Sequence, residues 1–145
     1  MKCERIHAVD HWRRWPGRYD TLFISTDSSA PGILGLEVAQ AHLFFSFTHN
    51  GIMYPCALVH WFSRKNEAPS DIAGMWVVEP DIYPDRKPIT SVVHLDTFFR
   101  ATHLLPVYCN HQSLSRHQCY EQTLDLFSEF YVNKYIDHHT FEVVV

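Results

Sequence analysis

Charge is scarce in this sequence, long apolar runs are missing, and so are the short motifs by which common catalytic sites are recognised. Asp, Glu, Lys and Arg make up 19% of the 145 residues, and the formal net charge is −4 with a pI near 6.2. That balance gives no general attraction to a phosphate backbone or an anionic lipid surface, so contact with nucleic acid would need a local basic patch. The longest apolar stretches, Ala41 to Phe47 and Ala57 to Phe62, are interrupted by His and Ser and fall far short of a bilayer span. The first ten residues carry charges and lack the apolar centre of a secretory signal, which places the expected location inside the cell. There is no serine in a nucleophile elbow, no GxGxxG or GxxxxGK[ST] loop and no HExxH. The chain is therefore expected not to be an enzyme. Cys3, Cys56, Cys109 and Cys119 are widely scattered, and in a reducing compartment they are expected as free, buried thiols.

Apolar side chain, by contrast, is plentiful. Hydrophobic residues make up 46% of the sequence and aromatic residues 14%, enough for one core and far from the composition of a disordered segment. One domain over 1–145 is expected. From Tyr19 to Asp27 the run YDTLFISTD is rich in β-branched and aromatic residues and reads as a strand that ends in a Ser-Ser-Ala-Pro-Gly loop. Leu36 to Thr48 reads as a long strand, and Asn50-Gly51 after it is a strong hairpin signal because both residues tolerate positive φ. Ile52 to Arg64 is then the second arm, bent or placed at an edge by Pro55, which cannot donate a ladder hydrogen bond.

Further short strands are expected at Met75 to Glu79, Ile89 to His94 and Ala101 to Tyr108, with one helical turn at Leu95 to Phe99 before the last of them. Five or six strands joined by hairpins, without βαβ alternation, favour a small antiparallel and partly closed barrel over about 19–108. In the C-terminal third the period changes. Tyr120, Leu124, Phe127, Phe130 and Tyr131 recur at three- and four-residue steps after a possible N-cap at Ser115, which predicts an amphipathic helix over about 116–135. The helix and a β-branched tail, Thr140 to Val145, would occupy 115–145. The fold class expected is mainly β with a C-terminal helix, α+β in outline.

Four segments carry a resemblance: YPCALVHWF at 54–62, GMWVVEPD at 74–81, VVHLDTFFRATHLLPVY at 92–108 and FYVNKYIDHH at 130–139. Together they resemble the C-terminal region of fungal transposon proteins of the Plavaka type. The resemblance implies an accessory module rather than the nuclease core, which in such proteins is expected upstream. The segment CNHQSLSRHQC at 109–119 departs from the family's pattern. The order of strand, hairpin, short strand, HLDTFF turn and final strand is similar to the SH3-like barrels of bromo-adjacent-homology and Tudor-type chromatin modules. That likeness implies a protein or chromatin partner, and a nuclear location with it, but fold alone does not fix function.

Several constellations compete for a functional role. Cys109, His111, His117 and Cys119 supply thiolate and imidazole, a proper tetrahedral zinc set, although their spacing matches no common zinc finger and a surface loop running into a helix start is the alternative. No other cofactor is expected. His94 and Asp96 share a strand face, and with His103 they are the best candidates for a metal-dependent hydrolase or nuclease; the competing role is a structural clip, with Asp96 equally able to cap the turn that it begins. Arg13, Arg14 and Arg18, interleaved with Trp12 and Trp15, form the one basic-aromatic cluster and could meet phosphate or stack on bases, against a solvated strand end. Trp15 and Tyr83 lie near loops, where aromatic rings could cage a cationic side chain; most other rings are expected in the core. The leading expectation is a non-catalytic interaction module that binds protein or chromatin.

Overall fold

A computed structural model describes residues 4–12, 15–107, 128–135 and 142, with the side chains of 11, 12, 15 and 16 left undescribed. Two antiparallel strands, β1 (Ala8–Trp12) and β2 (Trp15–Tyr19), form a separate ribbon at the start of the chain. The main sheet begins with β3 (Thr21–Ser25). A 3-10 turn at Gly32–Gly35 leads into β4 (Leu36–His49), and β5 (Ile52–Arg64) returns beside it. Asn50 and Gly51 make the connection with φ of 50° and 75°, the doubly positive pair that suits a two-residue hairpin and the right-handed twist of its arms.

β6 (Val77–Pro80) and β7 (Thr90–His94) share the outer edge of β5, with β7 opposite Cys56–His60 and β6 opposite Phe62–Arg64. A 3-10 turn, Leu95–Thr97, carries the chain from β7 to β8 (Phe98–Thr102), which pairs with β3 on the far side of the sheet. β9 (Leu104–Pro106) continues after a single residue, His103, and pairs with β10 (Phe130–Val132), which also pairs with β6. The result is an eight-stranded antiparallel sheet that closes on itself almost completely. No helix of the described residues is long and apolar enough to cross a membrane.

The centre of the sheet has two buried faces. Phe23, Val38 and Phe62 point to one side, where Ile33, Leu36, Trp76, Val78, Leu104, Phe130 and Val132 cover them. Leu22, Ile24, Ala39, Ala41, Ala57 and Val59 point to the other, against Phe44, Trp61, Val93, Leu95 and Phe98. Alternation of side chains along a strand makes this possible, and it explains why β3 reads as a continuous apolar run with Leu22, Phe23 and Ile24 almost fully buried. β4 serves both layers by the same alternation, with Leu36 and Val38 on one face and Ala39 and Ala41 on the other. Its pairing with β5 shifts between Ala41 and Leu43, and a bulge of this kind bends the strand.

The strands expected at 19–27, 36–48, 52–64 and 89–94, the Asn-Gly turn and the helical turn at 95–99 all occur, with shifts of a few residues at their ends. The last expected strand, 101–108, is divided into β8 and β9 at His103. The helix expected over 116–135 is not present at its C-terminal end, where Phe130–Val132 is a strand. The reason is a period of two: Phe130 and Val132 are fully buried while Tyr131 between them is not, and β6 and β9 on either side satisfy the backbone. The remainder of that expected helix, 116–127, lies outside the described residues, as do Phe127 and all of the tail but Glu142.

Candidate functional site

The His94 and Asp96 pair is a turn clip. Asp96 donates its backbone N–H to His94 Nδ1 at 3.1 Å, and the Thr97 hydroxyl donates to the His94 carbonyl at 2.7 Å, so His94 rather than Asp96 caps the 3-10 turn. The Asp96 carboxylate, 3.3 Å from that same nitrogen, is 90% exposed. His103 is occupied elsewhere: its carbonyl accepts the Asn133 N–H at 2.9 Å, and its Nδ1 lies 3.5 Å from Asn133 Nδ2, which ties the end of β10 to the bend between β8 and β9. Among the described residues no three His, Cys, Asp or Glu side chains are placed to hold a metal ion. Cys109, His111, His117 and Cys119 lie outside them.

Of the basic-aromatic cluster, Arg13 and Arg14 lie outside the described residues, as do the side chains of Trp12 and Trp15. Arg18 is turned to an internal partner. Its Nε and Nη2 donate to the two Asp20 oxygens at 2.8 and 3.2 Å, while the His7 backbone N–H donates to Asp20 at 2.9 Å and His7 Nδ1 lies 3.0 Å from the carboxylate. Asp20 thereby fixes the β1–β2 ribbon to the sheet, since its carbonyl also accepts the Ala41 N–H. Tyr19 in the same ribbon donates its hydroxyl to Asp10 and stacks on His42 at 5.5 Å. The bond to the Asp10 carboxylate, then burial and the Asp10 charge, raise the Tyr19 pKa above its usual value. Tyr83 is half exposed in the turn between Ile82 and Pro88, with its backbone N–H bonded to the Lys87 carbonyl.

A surface that sequence reasoning did not single out lies on the outer part of β4, β5 and β7. Opposite residues in an antiparallel pair share a face. The registers therefore set Leu43 beside Leu58 and Val92, Phe45 beside Cys56 and His94, and Phe47 beside Tyr54. This is the face that Phe62 presents to the first core, continued along β5 beyond the point where β6 and β10 cover it. Leu43, Phe47, Ile52 and Val92 are each about half exposed, and the Phe47 and Tyr54 rings stack at 5.2 Å. From Val38 to Ser63 the chain carries no Asp, Glu, Lys or Arg, and neither does β7. The available signal was that uncharged stretch, which hydrophobic periodicity alone assigns to a core.

Compared with known protein families, curated proteins and solved structures, the chain matches none of them.

A concave feature lies at the other end of the hairpin. A cavity of about 220 Å³ opens between the 3-10 turn at Gly32–Gly35 and the ends of β4 and β5, floored by Ile33, Val38, Phe62 and Val78. Arg64 stands at its rim with its guanidinium 5.3 Å from the Trp76 ring centre, and Glu37 lines the same rim. Opposite charges at one mouth leave little net field for a charged ligand.

Proposed function

We propose that this chain is a non-catalytic protein-interaction module that engages its partner through the outer face of β4, β5 and β7. One observation carries the proposal: a contiguous apolar and aromatic face with no charged residue, mounted on the most extensively paired hairpin of the fold. Single exposed apolar side chains are ordinary, but a contiguous patch on a rigid sheet marks an interaction surface. Depletion of charge with enrichment of aromatic rings is the composition of an interface centre.

The strand order adds support. β8, β3, β4, β5 and β7 are neighbours in turn across the sheet, and a 3-10 turn leads from β7 to β8, an order that supports the likeness to SH3-like barrels. A module of that kind fits the accessory role implied by the resemblance to the C-terminal region of Plavaka-type transposon proteins. Protein is favoured over nucleic acid because the net charge is −4 and the Arg18 guanidinium faces Asp20.

The test is to pan a phage-displayed library of random peptides against the folded chain and map the selected peptides by NMR. Shifts concentrated at Leu43, Phe45, Phe47, Tyr54 and Val92, with binding lost in Phe47→Glu, are expected. Selected peptides that shift only residues elsewhere, such as the rim of the Arg64 cavity, would overturn the assignment of this face.

A further inference from the structure

The same hairpin has two edges, and they are treated differently. In a two-residue turn the flanking pair, here His49 and Ile52, exchanges both of its backbone hydrogen bonds. Counting back along β4, residues 47 and 45 also bond inward to β5, whereas Thr48, Ser46 and Phe44 aim their N–H and C=O groups away from it. On β5 the corresponding outward position is Pro55, directly opposite Ser46. Proline has no N–H, so the free end of the β5 edge cannot template a further strand. The free end of the β4 edge carries no proline. β3 pairs with β4 only as far as Gln40, and the last bond on that side is the Ala41 N–H to the Asp20 carbonyl. No described residue pairs with the outward groups of Phe44, Ser46 and Thr48. An uncharged edge with three consecutive outward positions is a surface that soluble proteins normally blunt or cover.

Resting on the reading that this hairpin is the binding face, we propose that its partner is a second copy of the chain, added antiparallel along β4 across a twofold axis at Ser46. An isologous contact needs a patch complementary to itself. The register meets this requirement. With Ser46 opposite its own image, Phe44 pairs with Thr48 of the other copy through backbone bonds. Phe45 then faces Phe47 across the axis on the apolar side, so that the Phe47 and Tyr54 stack extends into a row of rings that spans both copies. Charge selects the same surface. Two chains of net charge −4 repel each other, and the stretch from Val38 to Ser63 is where they can touch without setting like charges together.

Analytical ultracentrifugation of the full chain across a range of concentrations tests this. The expected species is a reversible dimer of twice the 17.0 kDa chain mass. Ser46→Pro removes one outward N–H at the axis while leaving the inward bonds of the hairpin intact, and is expected to raise the dissociation constant at least ~10-fold. Phe47→Glu sets two carboxylates near the axis and is expected to do the same. Circular dichroism of both variants, and their melting at concentrations where the parent is monomeric, are expected to match the parent, because Ser46 and Phe47 are exposed. A chain that stays monomeric, or a dimer that neither substitution weakens, overturns the proposal. Peptide selection on the monomer would then decide the interaction reading separately.

Discussion

The carbonyl oxygen of Asp27 lies 2.2 Å from where a Cβ on Gly35 would stand. The contact is backbone against backbone, so no flexible side chain can move aside. Gly35 is held there because its own carbonyl accepts the N–H groups of Thr26 and Asp27, which closes the loop between β3 and β4. Gly35→Ala is expected to cost at least ~1–3 kcal/mol, the range for forcing extra volume into a packed site. Urea titration should show a lower midpoint with an unchanged slope.

The same loop makes stability depend on pH at the acid end. Asp27 accepts the Ser29 hydroxyl at 2.6 Å and the Ser29 N–H at 2.9 Å, and these bonds hold its carboxyl pKa below the usual 3.8. A group with a depressed folded pKa stabilises the fold above its unfolded value and loses that contribution as pH falls through the folded value. The stability difference between the parent and Asp27→Asn should be constant near neutrality, shrink as pH drops below about 3.8, and vanish at lower pH. A difference that persists unchanged into strong acid would assign the effect to another group.

Capping and catalysis make opposite predictions for His94 and Asp96. As a clip, His94→Ala removes the acceptor for the Asp96 N–H and should cost about 0.5–2 kcal/mol, whereas Asp96→Ala removes an exposed side chain and should stay within about 0.5 kcal/mol. Thermal melts of the two variants check the order. With Mg²⁺ or Mn²⁺ added, a nuclease activity that Asp96→Ala abolishes without unfolding would reverse the assignment.

Phe130 joins β10 to the first core, fully buried and edge-on to Phe62 at 6.1 Å between ring centres. Phe130→Ala is expected to cost ~3–5 kcal/mol. The loss should be global, seen as one shifted transition by both fluorescence and circular dichroism.

Most of the barrel could be read from the sequence because its strands are long or bounded by strong punctuation. Asn50-Gly51 fixed the central hairpin, and β-branched runs located β3 and β7. Phe130 is ambiguous in the sequence because its spacing from Phe127 suits a helix, while its alternation with Val132 suits a strand; the decision belongs to β6 and β9, distant in sequence. The β1–β2 ribbon was missed because its order rests on Asp20 binding His7 and Arg18. The apolar face of β4, β5 and β7 was hidden for a related reason. Nothing local distinguishes Leu43, half exposed, from Val38, buried on the same strand.

β3, with side chains buried on both faces, also sets a lower limit on the size of the folding unit. A fragment trimmed to the ring of β3, β4, β5, β7 and β8 would turn Phe23, Val38 and Phe62 toward water, at about 1.5–3 kcal/mol for each side chain. That is comparable with the whole stability of a small domain. The ring and the strands that cover it therefore stand or fall as one cooperative unit, so deletion of β6 or β10 should yield an aggregating chain instead of a smaller barrel. An insertion that lengthens the turn at Asn50-Gly51 touches neither core, which makes that turn the position where a fluorescent tag or an added sequence can be carried without loss of the fold.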